Sequence, residues 1–270
     1  MDLGLRDATV VVNGGSKGMG RAAAECLARE GARVAVLARG REALDETIAM
    51  LTALGCPDAV GLPADLTRAA EVDAAFAAVG ERWGALNALV NAAGPTDVGI
   101  GSFEAIDDAE WAATLEVGLM SAVRCVRAAL PLLRTASWAR IVNVSAHSTK
   151  RQSPEIVAYT AAKAALTSFS KNLSLSLAGD GILVNTISPG SFLSEGMRDY
   201  LRALPADRGV DPDSLEDAMR VIREDFGHPA HLSRAGDPAE IGPVIAFCCS
   251  PVNSYMTGAN VNVDGGSDFC

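Results

Sequence analysis

The sequence predicts an α/β fold: a doubly wound, seven-stranded parallel sheet in a single domain spanning 1–270. Three observations carry this. Short β-branched apolar runs recur along the chain, separated by longer helical patterns. Most runs are apolar throughout rather than alternating, as strands covered on both faces require. The first run passes through a glycine-rich turn straight into a helical pattern, which is how such sheets begin a nucleotide site.

The elements follow in order. ATVVVN (8–13) reads as a buried strand, and a helix runs from about Gly18 to Arg29, with Gly31 as its stop signal. RVAVLA (33–38) is the second strand, followed by the amphipathic helix EALDETIAMLTAL. AVGLPA (59–64) is the third strand, before a helix ending at Trp83. ALNALVN (85–91) is the fourth. A long helix starts after Asp107, an N-cap with Glu110 three residues on, as in a capping box. RIVNVS (140–145) is the fifth strand, and a long helix covers about Pro154 to Ala178. ILVNTIS (182–188), a helix from Pro238 to Cys249 and NVNVD (260–264) close the sheet. Residues 192–232 are polar, charged and helical in pattern, punctuated by Pro205, Pro212 and Pro229, an addition to the sheet framework. As a flexible segment after the sixth strand it would overhang the ligand-binding edge, as a substrate lid.

Composition narrows the function classes. Apolar residues make up 49% of the 270, enough for a substantial core. Lys plus Arg is 23 against 33 for Asp plus Glu, a net charge of −10, which argues against a nucleic-acid partner. No apolar run is long enough to span a membrane, and MDLGLRDATVVV lacks the basic start of a secretion signal, so a cytoplasmic location is expected. Cys26, Cys56, Cys125, Cys248, Cys249 and Cys270 form no C-x-x-C pair and read as reduced thiols. His147, His228 and His231 have no ligand spacing with them, so no metal site is expected.

In VVVNGGSKGMGRAAAECL, Gly14 permits a tight turn, Gly18 lets backbone approach a pyrophosphate, and Gly20 allows helix–strand contact. The helix N-terminus then offers unpaired N–H groups to the anion, the Rossmann arrangement for a dinucleotide. NGGSKGMG at 13–20 resembles the T-G-x-x-x-G-x-G fingerprint of the classical short-chain dehydrogenases/reductases. Further segments match in order: ADL (64–66), NAAG (91–94), Y-x-x-x-K (159–163), SPG (188–190) and VNVDGG (261–266), so the resemblance covers essentially the whole chain.

The resemblance implies a nicotinamide cofactor held by Gly14, Ser16, Lys17, Gly18, Met19 and Gly20 of the turn. It adds Arg39, Asp65 and Leu66 at the adenosine end, with Asn91, Ala92 and Gly94 along the fourth strand. Tyr159, Lys163, Pro189, Gly190 and Ser194 complete the set, Ser194 standing where relatives carry a Thr. Asn13 replaces the usual Thr of the turn and can still pin it. Relatives selective for NAD usually have an acidic residue near Ala38. Here Ala38 precedes Arg39, and Lys17 lies inside the turn; two cations with no carboxylate favour NADP(H) over NAD(H).

Tyr159 and Lys163 are four apart and share a helix face. A free phenol has a pKa of about 10, and a nearby ammonium lowers it toward the range useful for acid–base work. Tyr159 would then give a proton to a carbonyl oxygen as hydride arrives, interconverting a ketone and a secondary alcohol. Two positions depart from the family. Its substrate-orienting Ser lies thirteen before the Tyr, which is Ala146 here; Ser145 precedes it and Ser148 follows by two. Neighbouring strand side chains face opposite ways, so Ser145 needs a local twist to replace it, and Ser148 needs a bend after the strand. The family's helix Asn, seven after a Trp, falls on Gly118 after Trp111. The sequence therefore leaves open an oxidoreductase with Ser145, Ser148 or His147 as the substitute donor, an NADP(H)-binding homologue with weak catalysis, and a subunit whose partner supplies activity. The expected partners are a small carbonyl or alcohol substrate and, by resemblance, copies of the chain in a tetramer or dimer built on the two long helices, 109–134 and 154–178, and the C-terminal strand.

Overall fold

The structure is a computed structural model and describes residues 2–95, 99–227 and 229–267. Cys270 and His228 lie outside these residues. Seven strands form one parallel sheet in the order β3-β2-β1-β4-β5-β6-β7. They are β1 (Thr9–Asn13), β2 (Arg33–Ala38), β3 (Ala59–Pro63), β4 (Ala88–Asn91), β5 (Ala139–Val144), β6 (Ile182–Pro189) and β7 (Asn260–Val263). Every residue of β1, β4 and β5 is buried, which explains their unbroken apolar character.

The helices are α1 (Gly18–Arg29), α2 (Arg41–Ala53), α3 (Ala69–Trp83), α4 (Asp108–Leu115), α5 (Ser121–Leu133), α6 (Val157–Ser176), α7 (Glu195–Ala203), α8 (Leu215–Val221) and α9 (Pro238–Cys248). On one face of the sheet Ala23 and Leu27 of α1, Leu44 and Leu51 of α2, and Ile241 and Ile245 of α9 pack against Val10, Val12 and Val34. On the other, Phe76 of α3, Cys125 and Leu133 of α5, and Phe169 of α6 pack against Val11, Leu89 and Ile141. Burying each such Leu or Phe contributes about 1.5–3 kcal/mol, so the two faces carry the fold. The strand order reverses direction between β1 and β4, which opens the crevice where ligands bind in such sheets.

Two expectations are corrected. The fourth strand begins at Ala88 rather than Ala85, because Leu86 N–H is taken by Leu132 O and the Asn87 side chain accepts from Thr9 N–H. The single long helix after Asp107 does start with the expected capping box, but a π-helical turn at Glu116–Met120 divides it into α4 and α5. The 192–232 excursion is helical, in keeping with its pattern. It folds into α7, α8 and short turns around its own core of Leu193, Leu201, Met219 and Ile222. Its two ends are stapled by a parallel bridge between Phe192 and Gly236, with Leu193 N–H on Gly236 O and Gly236 N–H on Ser191 O, both 2.9 Å.

Candidate active site

The glycine turn sits at the carboxyl end of β1. Gly14 has φ +65°, and a Cβ there would fall 2.6 Å from Ala93 N, so only glycine fits. A Cβ built on Gly18 would meet nothing within 4 Å, so the space above the turn is open. Lys17 is the N-cap of α1 and caps it with no side-chain bond, leaving the helix N-terminus to an anion. This cradle fits a pyrophosphate.

Asn13 does more than pin the turn. Its Oδ1 accepts from Ala92 N–H (3.0 Å) and Ala93 N–H (3.2 Å), and its Nδ2 donates to Asn91 Oδ1. Asn91 Nδ2 donates to Asn143 Oδ1 (2.6 Å), and Asn143 Nδ2 to Ser170 Oγ of α6 (2.8 Å). The three amides are in register across β1, β4 and β5. This buried chain ties the phosphate turn to the helix that bears Tyr159 and Lys163. Sequence spacing gave no sign of the Asn143 and Ser170 links, which depend on strand register.

At the adenosine end, Asp65 accepts both the N–H (3.0 Å) and the hydroxyl (2.8 Å) of Thr67. Those bonds hold its carboxyl below the usual range, and the nearby Arg39 and Arg68 charges add to the effect. Lys17 Nζ pairs with Glu195 at the start of α7, 3.2 Å away, with both side chains about half or more exposed. Two carboxylates from elsewhere in the chain thus approach these cations, Asp65 near Arg39 and Glu195 on Lys17, while the position at Ala38 itself has no acid.

Lys163 is buried, and its Nζ donates to Val144 O at 2.8 Å. A Cβ on Gly94 would lie 3.0 Å from that Nζ, so Gly94 leaves the room Lys163 occupies. Desolvation pushes the Lys163 pKa down to about 8 and the Tyr159 phenol up to about 12. The expected lowering of the phenol is thus reversed in this arrangement, since burial dominates it.

The three candidate donors separate cleanly. Ser145 Oγ is buried, donates to Lys163 O (3.0 Å) and shares a hydrogen with Thr167 Oγ1 (2.7 Å). It braces α6 on β5, which corrects its expected place as a substitute donor. Ala146 is extended, and the chain then bends into a 3₁₀ turn at His147–Thr149. Ser148 falls in that turn with its Oγ buried and, among the described residues, without a hydrogen-bond partner. His147 Nδ1 lies 3.1 Å from Pro189 O. Ser194 caps α7 by accepting Met197 N–H (3.3 Å), which leaves its hydroxyl hydrogen available to donate.

Gly118 sits within the π-helical turn, and a Cβ there would be 2.8 Å from Ala162 Cβ and 3.5 Å from Pro95 Cδ. The missing Asn is therefore built into the packing: Ala162 of α6 stands in the space an Asn side chain would need.

A family profile described as enoyl-(acyl carrier protein) reductase matches residues 14–268. The uncharacterized oxidoreductase YvrD of Bacillus subtilis is 32% identical over 98% of each chain. The structure of L-sorbose reductase from Gluconobacter frateurii with NADPH and L-sorbose superposes with a TM-score of 0.91 and 29% identity, covering 99% of this chain and 98% of that one. An RhlG/NADP active-site complex from Pseudomonas aeruginosa gives a TM-score of 0.85 at 29% identity over 98% of each. With a profile match over nearly the whole chain, the seven-stranded parallel sheet and these relatives, the chain belongs to the short-chain dehydrogenase/reductase family and is an enzyme of alcohol/ketone oxidoreduction.

Proposed function

We propose that the protein is an NADP(H)-dependent oxidoreductase that interconverts a ketone and a secondary alcohol, with Tyr159 as the proton donor and acceptor. The observation that carries this is the orphaned, buried Ser148 Oγ in the turn that follows β5, on the stretch leading to Tyr159. A buried hydroxyl without a partner costs about 1–3 kcal/mol, and a substrate carbonyl oxygen would satisfy it. When bound, the dihydronicotinamide supplies hydride to the carbonyl carbon. The chain supplies the rest. Tyr159, with its pKa near 12, stays protonated at neutral pH and gives its proton to the developing alkoxide oxygen, while Ser148 donates a hydrogen bond to the same oxygen. The Lys163 ammonium then stabilises the phenolate that remains. The cofactor is held by the turn Gly14, Ser16, Lys17, Gly18, Met19 and Gly20, with Arg39 reading a 2′-phosphate. Support for NADP(H) comes from the absence of an acid at Ala38 and from the cofactors named for the two structural relatives. The helical excursion 192–232 serves as the substrate lid, and α4–α5 with α6 form the oligomer faces.

The weak-catalysis reading retains one support, the loss of the usual Ser and Asn at Ala146 and Gly118. One experiment separates the two. Purified protein is assayed with NADPH on a panel including ethyl acetoacetate, cyclohexanone and L-sorbose, alongside Tyr159→Phe. Turnover that falls by about 10³-fold or more in Tyr159→Phe, with NADPH affinity unchanged, supports the enzyme. Tight NADPH binding with no turnover on any ketone overturns it.

A further inference from the structure

We infer that His147 is the positioning residue that holds the Ser148 hydroxyl in the site; this rests on the Ser148 role proposed above. The β5–β6 ladder is in register through Val144 and Ile187. Its last backbone rung on this side is Ser145 N–H to Ile187 O, 2.7 Å. Along a parallel strand the next acceptor facing β5 is two residues on, Pro189 O, and its rung would come from residue 147. At that point the backbone has left the sheet for the 3₁₀ turn. The His147 ring takes the place of the rung, with Nδ1 3.1 Å from Pro189 O. A carbonyl oxygen only accepts, so Nδ1 carries the hydrogen.

The bond has a specific consequence. The usual hydroxyl position, Ala146, is still on extended backbone and needs no special support. Ser148 is two residues further, beyond the end of the ladder, on a turn held by Lys150 N–H to His147 O (2.9 Å) and Thr149 Oγ1 to Ala146 O (3.0 Å). Those bonds are internal to the turn and fix its shape, not its place against the sheet. The imidazole bond to β6 fixes its place. Moving the hydroxyl from 146 to 148 therefore requires a side-chain anchor at 147, and His147 provides it. Pro189 is also the residue whose ring leaves β6 without an N–H there, so the contact is a one-way donation from β5 to β6.

The test uses geometry that a general packing role does not share. In His147→Asn the amide Nδ2 stands near the position of Nδ1; in His147→Gln it reaches the position of Nε2 instead. Variants are assayed with NADPH and the panel ketone that the parent reduces fastest. His147→Ala and His147→Gln are expected to lose about 10- to 100-fold in kcat, the scale of a small misplacement of a catalytic group. His147→Asn is expected to stay within about threefold of the parent, and NADPH affinity to hold in all three. In a Ser148→Ala background, His147→Ala is expected to add less than about threefold, since both changes remove one function. Equal losses for Asn and Gln, or a full His147→Ala loss persisting without Ser148, overturns the positioning role. Ser148→Ala with parental activity overturns the Ser148 role itself, which is a different result from an intact Ser148 effect beside a silent His147→Ala. A nitrogen-15 spectrum of the parent showing the ring hydrogen on Nε2 alone also overturns the inference, without any substrate.

Discussion

Replacing Lys163 with Met separates the cost of a buried ammonium from its use. The folded protein binds the Lys163 proton with a pKa near 8, whereas the unfolded chain has the ordinary value of 10.5. At about 1.4 kcal/mol per unit, burying the charge costs about 3 kcal/mol wherever both states are protonated. That condition holds below the folded pKa. As pH rises from 8 toward 10.5 the folded protein releases the proton first, the unfolded state holds more protons, and parental stability rises. Methionine has no proton to release, so its stability lacks this increment. It also leaves Val144 O without its donor, a loss of about 1–3 kcal/mol that does not vary with pH. The two effects nearly cancel at neutral pH, so Lys163→Met is expected to match the parent within about 2 kcal/mol there. Between about pH 7 and about pH 9.5 the parent is expected to gain about 2 kcal/mol over the variant. Urea unfolding at both pH values and one protein concentration reads this directly, because every other titrating group cancels in the difference. A parent–variant difference that stays constant within about 0.5 kcal/mol across that range would refute the depressed pKa, and with it the placement of a charged Lys163 in a desolvated site.

Two further outcomes test the cofactor site and the altered helix. Arg39→Ala is expected to weaken NADPH binding by about 10- to 100-fold, the worth of a charge-assisted hydrogen bond, and to leave NADH unchanged; fluorescence titration of both cofactors measures it. Gly118→Asn, which restores the family's residue, is expected to destabilise by about 1–3 kcal/mol rather than to improve activity, because its Cβ would stand 2.8 Å from Ala162 Cβ. Thermal unfolding of Gly118→Asn with and without Ala162→Gly checks this, and only the double variant should approach the parent midpoint.

Much of this molecule is written in local patterns. The β-branched runs mark the strands, Asp107 and Glu110 mark the start of α4, and the glycines of 14–20 mark the phosphate turn, because each feature is decided within one turn or one strand. The π-helical turn at Glu116–Met120 is different. It depends on how closely Gly118 approaches Ala162, a contact between distant stretches of chain. The Lys17–Glu195 pair likewise joins the first turn to α7, so counting charges near the turn missed it. The shared core of the 192–232 excursion was hidden for a related reason: Leu193, Leu201, Met219 and Ile222 are spread among charged residues and meet only when its helices pack together.

The Ser148 hydroxyl shows most clearly where local pattern stops being enough. Alternation along β5 says that Ser145 and Ala146 face opposite sides, and the structure agrees by turning Ser145 into α6. What alternation cannot give is the residue at which the strand ends. Two carbonyls just past the backbone ladders decide that here. Val144 O, next after the Asn91–Asn143 pair, is taken by Lys163 Nζ. Pro189 O, next after the Ser145 rung, is taken by His147 Nδ1. Each capture lets the backbone leave the sheet with its acceptor satisfied, and together they set the bend that carries Ser148 into a buried position. The same two contacts fix Lys163 and the β5–α6 turn, so the end of the sheet and the assembly of the site are one event, encoded by side chains from α6 and the turn rather than by the strand's own sequence.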